Sequence, residues 1–297
     1  MKKLLVTGAG GQLGREWMES MAQSETLFGP EGSLQVPEIV GCGSAELDIT
    51  DRPTLREKLD REQPDLIVNC AAWTDVDGAQ EHPDDARRVN RDGVFNLAEW
   101  CAGRGAILVH YSTDYIFAGT DADRLTYPGG YPEEAPASPV NLYGESKLAG
   151  EQELERSGAP YLLIRVSWLC GAHGQNFVKT MLELGKAGKP LRVVDDQWGS
   201  PAYCTDVVLN TIRLLQARQR GVWHLSSRGV TTWYHFAEAI FEEAGIKADL
   251  IPVTSEEYPR PAPRPTWSKL ETGKLEAMTE TRLPEWRAGL RTLLDRL

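Results

Sequence analysis

Lys3–Thr7 is a short, mostly apolar run that stops at a glycine, and similar runs recur down the chain. Glu38–Gly41, Asp65–Asn69, Ala106–His110 and Tyr161–Val166 are further runs of strand length. Asp65–Asn69 and Tyr161–Val166 are apolar nearly throughout, as expected of strands covered on both faces. Between the strands lie stretches with helical spacing. Gln12–Met21 and Pro53–Arg61 are two of these. Pro83–Arg104 is a third, with Val89, Val94, Leu97, Ala98 and Cys101 as its apolar stripe. A fourth helix starts at Leu142, after Pro139 as breaker and Asn141 as cap. Ser24–Val36 and Thr120–Pro139 read as loops on their Gly and Pro content.

Strand–helix alternation of this kind predicts an α/β fold with a doubly wound parallel sheet and right-handed crossovers. After Ser167-Trp168 the rhythm loosens. Asn176–Gly185, Asp206–Arg218, Tyr234–Glu243 and Pro284–Leu297 read as helices, the last with Trp286, Leu290 and Leu294 on one face. Leu191–Val194, Gly221–Leu225 and Leu250–Val253 read as strands. Pro259–Pro265 holds four prolines in seven residues and is expected to be extended.

Composition narrows the class. The chain has 297 residues, 41% of them hydrophobic and 25% charged, which is ordinary for a globular protein with a sizeable core. A net charge of -11 argues against a nucleic-acid surface. Cys42, Cys70, Cys101, Cys170 and Cys204 are scattered, with no metal-ligand spacing, so free thiols in a reducing compartment are expected. The apolar run after Lys2-Lys3 is too short for a signal peptide, and no run approaches a membrane span. The expected location is the cytoplasm, with no membrane partner.

Chemistry enters where strands end. After the first strand, Gly8, Gly11 and Gly14 form a G-x-x-G-x-x-G turn that runs into a helix. Such a turn lets the backbone approach a pyrophosphate at the helix N-terminus, and it predicts a Rossmann-like dinucleotide site. After the second strand, Gly41-Cys42-Gly43-Ser44 offers neither an acidic nor a basic ribose ligand, so NADPH and NADH both remain, with space that tilts toward NADP. Asp48 is either an adenine contact or a solvated residue beside a cap. Ala71 and Ala72 follow the third strand and suit the cofactor crevice. Ser112 and Thr113 stand at the exit of the fourth strand, at the expected active-site edge. Tyr143 and Lys147 are i and i+4 on one helix face. An ammonium there is expected to lower the phenol's pKa and make Tyr143 a usable proton donor. Residues 1–166 are then the dinucleotide-binding domain, with 190–224 returning to it. Residues 167–189 and 225–297 form a smaller C-terminal α/β substrate-binding region.

These motifs, in this order, resemble the extended short-chain dehydrogenase/reductase family. More narrowly, the chain resembles the branch whose members reduce dTDP-4-dehydro-L-rhamnose. The matching stretches include Val6–Gly14, Asn69–Asp77, Ser112–Phe117, Asn141–Glu151, Asp196–Pro201 and Arg264-Pro265 with Ser268. The resemblance implies NAD(P)H-dependent reduction of the C4 ketone of a dTDP-4-keto-6-deoxy sugar. It implies that Thr113, Tyr143 and Lys147 are catalytic. Gly8, Gly11, Gln12, Leu13 and Gly14 would line the pyrophosphate, Asp48 and Ile49 the adenine, and Ala71, Ala72 and Trp73 the crevice. Tyr111 would approach the nicotinamide, Lys147 its ribose, and Asp114 and Trp168 the sugar nucleotide. The same family contains other nucleotide-sugar ketoreductases, epimerases and a non-catalytic NADP-binding regulatory subunit. Some relatives dimerise through a metal held by carboxylates, so a homodimer is compatible with the resemblance. Glu16 matches one such carboxylate but Thr205 stands in place of another, with Asp206 beside it, so no required metal is expected.

Overall fold

The computed structural model describes residues 3–22 and 38–297, so the Ser24–Val36 loop lies outside the described residues. Five strands, β1 (Lys3–Thr7), β2 (Glu38–Cys42), β3 (Leu66–Asn69), β4 (Ile107–Thr113) and β5 (Tyr161–Val166), join Gly221–Leu225 in one sheet. The order is Gly221–Leu225, β5, β4, β3, β1, β2, and every pairing is parallel. This is the doubly wound sheet that the alternation predicts.

Both faces of the sheet are covered. Leu4, Val6, Val109 and Ile164 pack against Trp17 and Met21 of Gln12–Ala22 and against Val207 and Ile212 of Cys204–Gln216. Leu5, Ile67, Leu108 and Leu163 pack on the other side against Leu55, Leu97 and Leu154. Neighbouring residues along one strand thus face different helices, and each is buried. At about 2 kcal/mol per large apolar side chain, this two-sided burial is the main force holding the sheet.

Four expectations change. Pro83–Arg104 is not one helix: Pro83–Arg87 and Gly93–Arg104 flank a π-helical turn, Arg88–Asp92. The cause is Asn90, whose buried side chain reaches out to Trp73 and Ser146. Thr120–Pro139 contains a short helix, Asp121–Thr126, begun by a reciprocal capping box between Thr120 and Asp123. The C-terminal helix spans Trp286–Leu294 and starts two residues after Pro284. Leu191–Val194 pairs in parallel with Leu250–Val253 as a separate small sheet, so the chain returns to the main sheet only from Cys204 onward. A distinct cluster around Trp168, Val178, Phe236, Ile240 and Leu290 forms the core beneath that small sheet.

All five cysteines are free. Among the described residues, no helix is long and apolar enough to cross a membrane.

Candidate active site

The glycine turn follows β1 at the centre of the sheet. Gly8 has φ +60°, and a Cβ there would lie 2.6 Å from Ala71 N and 2.8 Å from Cys70 O at the exit of β3. A Cβ on Gly14 would lie 2.2 Å from Gly8 O. Neither position admits another residue without moving backbone. The turn therefore brings a helix start, with its unpaired first N–H groups, close to the ends of two strands. Leu13 is buried in the core, so only its backbone faces this turn. The Gln12 amide is engaged internally: its Nε2 donates to Leu169 O at 3.1 Å, and its Oε1 accepts from Asn176 Nδ2 at 2.7 Å.

The second centre lies where β4 ends. Thr113 is the last residue of the strand, and the helix Leu142–Arg156 runs past it. Asn141 caps that helix by accepting from Gly144 N at 2.8 Å. The helix packs closely because Gly144 and Gly150 leave room for Tyr115 O and Asn90 O. The Thr113 hydroxyl donates to Asp114 Oδ1 at 2.9 Å and accepts from Tyr115 N at 3.1 Å. The Tyr143 ring meets Tyr115 edge-on, with centroids 5.8 Å apart. Thr113 and Asp114 are thus joined, and the first turn of the helix that carries Tyr143 lies beside Tyr115.

Lys147 differs from expectation in one respect. Its ammonium donates to the Tyr111 carbonyl at 2.6 Å, and it is not among the groups that shift Tyr143. Burial pushes the Tyr143 phenol up, Thr113 opposes this, and Asp114 adds to it. In this structure Tyr143 is a firmly protonated phenol, not one lowered by a neighbouring charge. Burial lowers Lys147 to about 8, and Glu151 opposes this by favouring the ammonium. Burial raises Asp114 to about 7, opposed by the hydrogen bond from Thr113.

Tyr111 also departs from expectation. Its phenol is turned into the core, where it accepts from Trp17 Nε1 at 2.9 Å and bonds Thr211 Oγ1 at 3.0 Å. Only its carbonyl serves Lys147. Ile49 is likewise a core residue, packed on Gly93. Asp48 is exposed and accepts from Thr50 N at 2.8 Å, while Asp51 caps the following helix. Ala71, Ala72 and Trp73 lie partly exposed after β3, next to Gly8. Trp168 is 9% exposed, stacks on Trp233 at 3.7 Å and has φ +46°. A bulky side chain holds that backbone only when its surroundings impose it. Gly199 leaves room for it: a Cβ there would lie 2.7 Å from the Trp168 ring and 2.6 Å from Ser268 Oγ.

Sequence reasoning passed over two residues of this neighbourhood. Asn90 joins Trp73 N and O and Ser146 Oγ at 2.9 to 3.0 Å. In sequence Asn90 stands among Arg88, Val89, Arg91 and Asp92, so no local pattern marks it as buried. Glu46 accepts from Gly43 N at the exit of β2, where an acidic residue had been sought two positions earlier.

Among the described residues, Glu16, Glu19 and His173 place ligand atoms within 4.8 Å of one another. They do not fit a dedicated cation site, because a guanidinium already serves it. Arg296 Nη1 donates to Glu16 Oε1 at 2.8 Å and Arg296 Nη2 to Glu19 Oε2 at 3.2 Å. Thr205 adds a hydroxyl to Glu16 Oε1 at 2.9 Å.

The family sequence model described as "RmlD substrate binding domain" matches residues 1–297. A spore coat polysaccharide biosynthesis protein, SpsK, of Bacillus subtilis is 38% identical over 99% of this chain and 98% of its own length. The dTDP-4-dehydrorhamnose reductase of Escherichia coli K12 is 36% identical over 99% and 97%. The crystal structure of dTDP-4-dehydrorhamnose reductase from Bacillus anthracis in complex with NADP superposes with a TM-score of 0.90, at 35% identity and full coverage of both chains. A UDP-glucose 4-epimerase from Thermus thermophilus, at 22% identity and a TM-score of 0.76, shares the fold. With full-length matches over a glycine turn and a Thr113/Tyr143/Lys147 centre, the chain belongs to the RmlD, or dTDP-4-dehydrorhamnose reductase, family.

Proposed function

We propose that the protein reduces the C4 ketone of dTDP-4-dehydro-L-rhamnose to dTDP-L-rhamnose, using NADPH or NADH. The observation that carries this reading is the helix of Tyr143 running past Thr113 at the exit of β4, with Lys147 buried on the same helix and donating to Tyr111 O. The glycine turn fits a dinucleotide: Gly8 and Gly14 let the start of the helix lie against the ends of β1 and β3, where a Cβ on either would meet backbone. Gly8, Gly11 and the backbone of Gln12 and Leu13 would hold the pyrophosphate, and Lys147 the nicotinamide ribose. When bound, the cofactor supplies the hydride.

Tyr143 gives its proton to the ketone oxygen as negative charge develops there. A phenol raised by burial is protonated at neutral pH, the state a reductive direction needs. Thr113 hydrogen-bonds the same oxygen and shares the charge. Asp114, Ser268 and Trp168 form the sugar side of the site, where 1–166 meets the region of 167–189 and 225–297. The chain's reductase relatives favour reduction, while the epimerase likeness supports the fold alone.

The test mixes purified protein with NADPH, then separately with NADH, adds dTDP-4-dehydro-L-rhamnose and follows loss of the reduced nicotinamide. Oxidation with dTDP-L-rhamnose as product is expected. Tyr143→Phe should lower kcat by about 10²- to 10⁴-fold, with an unchanged thermal midpoint. A Tyr143→Phe protein with full turnover would remove Tyr143 as the donor.

A further inference from the structure

Tyr143, Lys147 and Glu151 stand at i, i+4 and i+8, so they share one face of the helix Leu142–Arg156. Lys147 and Glu151 are both buried, and the Glu151 carboxylate is held by Arg165 of β5, itself buried. Arg165 Nε donates to Glu151 Oε1 at 3.1 Å, and Nη2 donates to Oε2 at 2.8 Å. Such a fork fixes the geometry of the carboxylate as well as neutralising its charge.

The other arm of the guanidinium turns away from the helix. Arg165 Nη1 donates to Glu133 O at 2.8 Å and to Nε2 of His224 at 3.3 Å, on the edge strand Gly221–Leu225. A guanidinium only donates, so His224 Nε2 accepts. The His224 proton then sits on Nδ1, which donates to Tyr131 O at 2.9 Å. His224 N adds a bond to Glu133 Oε1 at 3.1 Å. Tyr131 is in turn paired with the stretch that follows Ser268. Its N donates to Lys269 O and its carbonyl accepts from Glu271 N, both at 2.8 Å. One buried side chain thus joins the helix of Tyr143 to backbone that is fastened beside Ser268.

Replacing a buried ion pair by well-packed apolar residues is often neutral or stabilising, so stability is a weak reason for this one. Its connections give a better one. We propose that Arg165 is a positioning residue that locks the helix of Tyr143 and Lys147 to the 131–133 segment, so that the proton donor and the sugar side of the site keep one spacing. This rests on the reductase reading above. Arg165 acts through Glu151 on one side and through Glu133 and His224 on the other, and it takes no part in the chemistry itself.

Arg165→Met alone leaves the Glu151 carboxylate buried and unpaired, and its thermal midpoint should drop steeply. Two other variants carry the test. His224→Leu spares the bonds from Arg165 to Glu151 and Glu133 but cuts the link to Tyr131. Arg165→Met combined with Glu151→Met removes both charges and should melt close to wild type. Amide hydrogen exchange in the ligand-free proteins is read first. His224→Leu should speed exchange several-fold in 131–133 and also in 144–151, a helix segment it does not touch. Exchange in 144–151 equal to wild type would overturn the lock. Turnover of dTDP-4-dehydro-L-rhamnose is read second. His224→Leu and the Arg165→Met/Glu151→Met protein should each lower kcat by about 10-fold, as a displaced donor does. All three changes together should lower it scarcely further, because both sets act through one tie. Effects that multiply to about 100-fold would show independent contributions and overturn the lock. A wild-type protein that does not reduce this sugar would overturn the reductase reading, and the exchange rates, which need no substrate, would still decide the lock.

Discussion

Lys147 is 2% exposed, and the bond its ammonium donates goes to the Tyr111 carbonyl. Burial takes it from an ordinary 10.5 to about 8. A lowered lysine binds fewer protons in the folded than in the unfolded chain between those two values. Stability therefore rises with pH across that window, and the full cost is present below about 8. Each pKa unit is worth ~1.4 kcal/mol, and the lost bond to Tyr111 returns ~1 kcal/mol. Lys147→Met should thus stabilise the fold by about 2.5 kcal/mol at neutral pH, with a gain that shrinks toward pH ~10. Turnover and cofactor affinity should both fall. Thermal melts at a series of pH values check this, and a midpoint lowered equally at every pH would contradict it. The spacing of Tyr143 and Lys147 was legible from residue types alone. The partner of the ammonium was not, because a backbone carbonyl carries no mark in sequence.

At the scale of elements, Asn141 both starts the helix Leu142–Arg156 and fastens it to another segment. Its Oδ1 caps Gly144 N, and its Nδ2 donates to Pro263 O at 2.9 Å. Asn141→Ala should cost about 1 kcal/mol for the cap and a further ~1 kcal/mol for the second bond. Because Tyr143 sits in the first turn, kcat should fall along with the urea midpoint. Unchanged kcat in a destabilised protein would show that the cap does not position Tyr143. The strands were legible because two-sided burial writes unbroken apolar runs. The Asp121–Thr126 helix was legible only through Thr120-x-x-Asp123, a signal easily lost among Gly and Pro. The π-turn at Arg88–Asp92 depends on Asn90 meeting Trp73 and Ser146 from other parts of the chain, which no local pattern encodes.

Across the whole molecule, Asp77 ties the proline-rich Pro259–Pro265 stretch to the helix Val76–Glu81. It pairs with Arg264 at 2.9 Å and Arg260 at 3.0 Å and accepts from Ala262 N at 3.2 Å. Partly exposed ion pairs contribute ~1 kcal/mol or less, so Asp77→Ala should leave the fold standing. It should loosen that stretch instead. Protease cleavage within 259–265 is expected to accelerate several-fold, and the sugar-nucleotide KM to rise about 3- to 10-fold. Equal cleavage rates in both proteins would discount the tie. The loosening of the strand–helix rhythm after Trp168 was legible, and two-residue strands do follow there. The strand 191–194 was misgrouped because its partner, 250–253, lies far along the chain.

Gln12 has a wider consequence. It occupies the first turn after the glycines, yet its amide is bonded to Leu169 and Asn176, and Asn176 caps the helix Phe177–Lys186. Under the proposed function, a dinucleotide on the turn would therefore also bear on the start of the helix Phe177–Lys186. Free-energy coupling between two occupants of one molecule is symmetric. Whatever factor the cofactor adds to the grip on the sugar nucleotide, the sugar nucleotide must return to the cofactor. Cutting the Gln12 amide would sever both debts at once.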